Sequence, residues 1–157
     1  MGTRPMRMTV LLILLLLPTK ALADEQTCMA QAMYFEARDQ GWRGMLAVGV
    51  VVQNRVKHPS YPDNVCAVVR QGRLSDGRLR RGQCQFTFYC DGKPERPQDK
   101  KAWDQAKDLA ALVIEQNLII VGLEDATHYH ATWVRPRWAH ALRRCLRVGG
   151  HIFYAVD

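Results

Sequence analysis

The chain has 157 residues, 48% apolar and 24% charged, with a formal net charge of +7. That length suits one domain, and the composition excludes a disordered chain or a solenoid with a 20-residue period. The basic excess favours dwelling on a polyanionic polymer, but without a recognition motif it does not point to nucleic acid.

Residues 1–23 read as a secretory signal segment. Arg4 and Arg7 precede the unbroken apolar run Val10–Leu17, and Ala21-Leu22-Ala23 is a small-x-small cleavage site. The run is about half of the ~20 residues a spanning helix needs, so no permanent membrane anchor is expected. Its removal takes away Arg4, Arg7 and Lys20 and no acids, lowering the net charge from +7 to +4. Residues 24–157 are then expected to form a single periplasmic or secreted domain, working as a monomer. Export would place Cys28, Cys66, Cys84, Cys90 and Cys145 in an oxidising compartment. An odd count leaves at least one thiol unpaired. Cys84 and Cys90, which bracket only Gln85–Tyr89, form the preferred pair.

Asp24–Arg38 reads as a helix capped by Asp24, with Ala30, Met33 and Ala37 on an inward face. Asp39-Gln40-Gly41 ends it. Trp42–His58 is a second helix with Met45, Val48, Val52 and Val56 in one stripe; its other faces are apolar too, so it should be central and buried. Pro59 and Pro62 stop it, and Asp63 is expected to cap a short helix over Asn64–Gln71. Gly72–Pro97 lacks periodicity and reads as a long functional loop rich in arginine. Lys100–Gln116 is a third long helix, with Trp103, Ala106, Ala110 and Val113 on one side. Thr127–Val134 and Arg143–Tyr154 alternate like strands, and Gly149-Gly150 supplies a hairpin turn. The expected class is α+β: a helical body with a small antiparallel sheet near the C-terminus.

Glu36 carries the chemistry. It lies near the end of an apolar helix, directly after Tyr34-Phe35. Desolvation beside aromatic groups raises a carboxylic acid's pKa toward the range where it can protonate a glycosidic oxygen. A surface glutamate paired with Arg38 or Arg43 is the alternative. Gln85 can donate and accept toward acetamido or hydroxyl groups, and Phe86, Tyr129, Trp133 and Trp138 offer faces for sugar rings. Packing in the core is the competing reading for Phe86 and Trp138. His128 and His130 are two apart on a strand, and with His140 or His151 they raise the option of a zinc site. Structural histidines fit better, because no H-E-x-x-H arrangement accompanies them. No metal or cofactor is therefore expected.

The ordered segments Cys28-x-Ala30-x-x-Met33-Tyr34-Phe35-Glu36-Ala37-Arg38, Gly44-x-x-Ala47-Val48-x-x-Val51-Val52-x-Asn54-Arg55-Val56 and Tyr61-Pro62-x-x-Val65-Cys66 resemble the cell wall hydrolase family of SleB/CwlJ type. So do Gln85-Phe86-x-Phe88-x-Cys90-Asp91-Gly92, Thr127-His128-Tyr129-His130-Ala131, Pro136-x-Trp138 and Gly149-x-His151-x-Phe153-Tyr154. The resemblance implies a lysozyme-like or lytic-transglycosylase-like fold that cuts peptidoglycan between N-acetylmuramic acid and N-acetylglucosamine. It makes Glu36 the catalytic acid and places Gln85, Phe86, His128, Tyr129 and Trp138 in the substrate cleft. The family usually continues Ala-Arg-Gly-Glu, where this chain has Ala37-Arg38-Asp39-Gln40. Asp39, Asp91 and Asp104 are the candidates for a second carboxylate, which a transglycosylase does without. The alternatives are a zinc-dependent amidase that cuts the stem peptide and a peptidoglycan-binding module without catalysis.

Overall fold

The computed structural model describes residues 19–156. The greater part of the expected signal segment, residues 1–18, lies outside the described residues. Helix α1 spans Thr19–Ala37, so Asp24 lies inside it rather than capping it, because Ala21, Leu22 and Ala23 carry the helix upstream. Among the described residues no helix is long and apolar enough to cross a membrane.

A 3₁₀ turn over Arg38–Gln40 and Gly41, whose φ of +66° suits a residue without Cβ, lead into α2 (Gly41–Lys57). Met29 and Met33 on α1 and Met45, Val48 and Val52 on α2 are fully buried. Each such side chain contributes about 1.5–3 kcal/mol of burial free energy. Helix α3 is only Val65–Val69, shorter than Asn64–Gln71, and its cap is the Asn64 side chain, which accepts from the Ala67 N–H; Asp63 does not cap it. Cys28 and Cys66 form a disulfide that joins α1 to α3.

The expected loop 72–97 begins as a β-hairpin. Strands β1 (Gly72–Ser75) and β2 (Arg78–Cys84) pair antiparallel around Asp76-Gly77, both at positive φ as a two-residue hairpin turn requires. Nearly every side chain on both strands is exposed, so the burial alternation that marks a strand in sequence is missing. A 3₁₀ turn over Thr87–Cys90 follows, and Cys84 is bonded to Cys90 as expected. Helix α4 is Lys100–Gln116, started by Asp99 accepting from Ala102 N–H and ended by Asn117 in the left-handed region.

Strands β3 (Ala126–Ala131), β4 (Arg143–Val148) and β5 (His151–Ala155) form an antiparallel sheet of order β3-β5-β4. β3 ends at Ala131 rather than Val134, because Val134 N–H closes a turn onto Ala131 O. Helix α2 lies between two cores. Met45, Val48 and Val52 pack with the other helices, and Ala47, Val50 and Val51 pack with Leu123, Ala126 and Phe153 toward the sheet. Position 40 links these layers: Gln40 Oε1 accepts from Gly150 N–H at 2.6 Å, which fastens the β4–β5 turn to the 3₁₀ turn between α1 and α2.

Candidate active site

Helix α1 presents Glu36 one residue before its end. Two side chains of α2 bring β3 across from it. Asn54 Nδ2 donates to Leu123 O (2.8 Å) and Ala126 O (2.9 Å), and Arg55 Nε donates to Thr127 O (2.8 Å). The strand they fix carries Tyr129, whose hydroxyl donates to Glu36 Oε2 at 3.0 Å. Glu36 is therefore not a surface partner of Arg38 or Arg43. Those guanidinium groups lie over the rings of Tyr34 and Trp42.

Burial pushes the Glu36 pKa above the ordinary carboxylate value, opposed in part by the Tyr129 hydrogen bond and the Arg55 charge. Burial also holds the Tyr129 phenol well above its ordinary pKa, so it stays a neutral donor. Arg55 is 5% exposed, with its guanidinium over the rings of Tyr61 and Phe86. Burial draws its pKa down, and the neighbouring Tyr129, Tyr61 and Glu36 oppose that shift.

Glu36 stands at the wall shared by two depressions. The larger, about 730 Å³, runs along Phe35, Arg38, Phe88, Asp91 and the 93–98 segment. That segment is anchored by the backbone N–H groups of Gln98 and Asp99, which both donate to the Tyr34 hydroxyl. The smaller, about 350 Å³, is lined by Arg55, Gln85, His128, Tyr129, His130, Trp138 and His151. A proton donor placed between two arms can act on a bond inside a polymer threaded through both.

Gln85, His128, Tyr129 and Trp138 all line the smaller arm. Phe86 does not: it is 1% exposed, enclosed by Arg55 and Phe88, and cannot offer a face to sugar. Its place in the Gln85-Phe86 pair is that of an anchor, because alternate residues of an extended segment point in opposite directions. The Tyr129 ring packs against His151 and Phe153, with its hydroxyl turned to Glu36. Trp133 is 75% exposed and lines neither arm. His128 and His130 share a face against Trp138. Both His130 nitrogens are engaged, with Ala131 O and the Tyr154 hydroxyl, and among the described residues no group of three His, Cys, Asp or Glu is placed to hold a metal.

The carboxylates sort by position. Asp104 is on the outer side of α4 between Lys100 and Lys107, which hold its pKa down at about 2. Asp39 accepts from Gln40 Nε2. Asp91 lies in the larger arm, where its Oδ1 accepts from Lys93 N–H in a turn. Glu95, which the sequence reading passed over, lines the same arm. Arg55 was also given no role, although its spacing from Val48 and Val52 puts a charge on the buried stripe of α2, and that was its signal.

A family model described as Cell Wall Hydrolase matches residues 39–154, beginning just after Glu36. The chain belongs to the Cell Wall Hydrolase family. Over 41 residues it is 49% identical to a spore cortex-lytic enzyme of Halalkalibacterium halodurans, a match spanning 26% of this chain and 12% of that protein. Its fold is similar to the catalytic domain of the germination-specific lytic transglycosylase SleB from Bacillus anthracis. That likeness has a TM-score of 0.61 and 24% identity, and covers 83% of this chain and 93% of that one. The Bacillus cereus SleB catalytic domain matches with a TM-score of 0.59 and 23% identity, over 84% and 90% of the two chains. The α+β class with a lytic-transglycosylase-like helical body is thus the fold of this family member.

Proposed function

We propose that this chain cleaves the peptidoglycan glycan strand between N-acetylmuramic acid and N-acetylglucosamine, with Glu36 as the single catalytic acid. The observation that carries the reading is Glu36 itself: its pKa raised by burial, its carboxylate tied to Tyr129, and its place between two arms. The descriptions of its relatives as cortex-lytic and lytic-transglycosylase proteins support the same substrate.

Glu36 gives its proton to the glycosidic oxygen as the C1–O bond breaks and positive charge develops at C1 and the ring oxygen. The carboxylate left behind is met by the Tyr129 hydroxyl and the Arg55 charge. It then acts as base. Taking the proton of the muramyl 6-hydroxyl closes a 1,6-anhydro ring, and taking one from water gives a reducing end. Asp91 and Glu95 in the larger arm favour keeping the hydrolytic outcome as a second reading, since two carboxylates can share that reaction.

Digestion of purified sacculi by residues 24–157, with mass analysis of the fragments, tests this. Anhydro ends mark a transglycosylase and reducing ends a hydrolase. Free stem peptides, with release abolished by a chelator, would replace both with the amidase. Binding without release would leave a carbohydrate-binding module. We place the site of action in the periplasm or outside the cell, following the signal segment.

A further inference from the structure

We propose that the β1–β2 hairpin is a docking face for the acidic stem peptides of the wall polymer; this rests on the glycan-cleaving reading above. The hairpin adds almost nothing to the core, for only Cys84 of its two strands is buried. A two-stranded hairpin with no apolar face to bury is marginal in water. This one is nevertheless fastened at its base by three separate links. Cys84 is bonded to Cys90, Gln85 N–H donates to Gln71 O at 2.9 Å, and Arg81 Nε donates to Asp91 O at 2.9 Å. Gly92 makes room for the last of these, since the Arg81 guanidinium lies 3.0 Å from where a Cβ at position 92 would stand. Asp91 borders the larger arm and Gln85 the smaller, so the base of the hairpin stands beside both.

What the hairpin presents is positive charge. Leu74 and Leu79 are cross-strand partners, so Arg73, beside Leu74, and Arg78 and Arg80, on either side of Leu79, take the opposite face. All three arginines are exposed, and among the described residues none of them forms a salt bridge. Asp76 is the one acid between Gly72 and Gln83, and it accepts from the Ser75 hydroxyl at the turn. Like charges crowded on one face of a ribbon repel, and an anionic guest relieves that repulsion. A guanidinium fork matches a carboxylate through two parallel N–H···O bonds. Residues two apart on a strand are separated by roughly 6–7 Å, so the face suits several carboxylates in succession rather than one. The stem peptides supply such carboxylates and are covalently joined to the strand lying in the arms. Seating the glycan therefore brings them to the hairpin at high local concentration, an advantage that a separate phosphate polymer lacks.

The test measures binding without chemistry. Glu36→Gln protein, with the native hairpin or with Arg73→Gln, Arg78→Gln and Arg80→Gln together, is titrated with soluble, uncross-linked glycan strands. The strands carry intact stem peptides, stem peptides whose carboxylates have been converted to amides, or no peptides. The native hairpin should bind intact strands about tenfold more tightly than amidated ones at low salt, the scale of three exposed ion pairs. That preference should fade at roughly 0.5 M salt. The triple substitution should bring intact strands down to the affinity of amidated ones and leave amidated and peptide-free strands unaffected. Lysine at the same three positions should restore part of the preference. The amidated strands probe the unaltered hairpin, so the first comparison does not depend on how the variant folds. Equal affinity for intact and amidated strands overturns the docking face, as does a preference that survives the triple substitution or a loss that is the same for all three strands. Arginine-dependent binding that polyphosphate alone competes away overturns it too. Absence of fragment release from any of these strands by the unsubstituted protein would instead bring down the glycan-cleaving reading.

Discussion

The two disulfides should be separable in both energy and function. Cys28–Cys66 closes a loop with a sequence separation of 38 and joins α1 to α3; Cys84–Cys90 closes one of 6 and brackets Gln85 at the cleft wall. In the loop-entropy account, the first constrains the unfolded chain by about 4 kcal/mol and the second by about 2 kcal/mol. The loops do not overlap, so the losses should add. Replacing each pair by alanine and measuring urea denaturation under oxidising conditions should give losses in that order. Glycan binding in a Glu36→Gln background should show the opposite order. Opening 84–90 frees the wall that carries Gln85, and the flexible wall loses more entropy on binding, whereas the 28–66 pair should leave affinity unchanged. Equal destabilisation by the two pairs would refute the loop-entropy reasoning. Unchanged affinity after opening 84–90 would show that this bridge serves stability alone.

Three further outcomes are expected. Glu36→Gln should abolish release of glycan fragments. Because burial raises the folded-state pKa of Glu36 above 4.5, this group's contribution to stability is greatest below that value and falls as pH rises toward the raised one. Urea midpoints of the two proteins should accordingly coincide near pH 4, with the glutamine protein the more stable at neutral pH. Tyr129→Phe removes a donor that favours the charged form of Glu36, so the alkaline limb of the pH–rate profile should move to higher pH while the maximal rate drops; a limb that stays put would sever the Tyr129–Glu36 link. Gln40→Ala should cost about 1 kcal/mol and speed amide exchange at Gly150. Gln40→Glu, which keeps an acceptor, should cost less.

The helices were legible because their burial is periodic. Val48 and Val52 mark α2, and Trp103, Ala106, Ala110 and Val113 mark α4. The β1–β2 hairpin was not, because Arg78–Gln83 faces water on both sides and leaves only Asp76-Gly77 as a sign. Glu36 could be picked out from its aromatic neighbours only together with the resemblance of the surrounding motif to the cell wall hydrolase family. Its partnership with Tyr129 could not, since the two are 93 positions apart and meet only because Asn54 and Arg55 grip the entry to β3. Phe86 misled for a related reason. Gln85 and Phe86 are adjacent in sequence and share a motif, but one faces the cleft and the other the core. The Cys28–Cys66 disulfide was equally invisible, because only the folded α1 and α3 bring these two cysteines together.

An acid flanked by an arm on each side has a mechanical consequence for a cross-linked wall. An enzyme that needs a chain end removes material from the tips and leaves the tension-bearing strands intact until they are consumed. A cut in mid-strand severs a load path at once, while both halves stay tethered through their stem peptides. Sacculi treated with this protein should therefore soften and swell well before much mass dissolves, and turbidity would lag behind stiffness as a measure of its work.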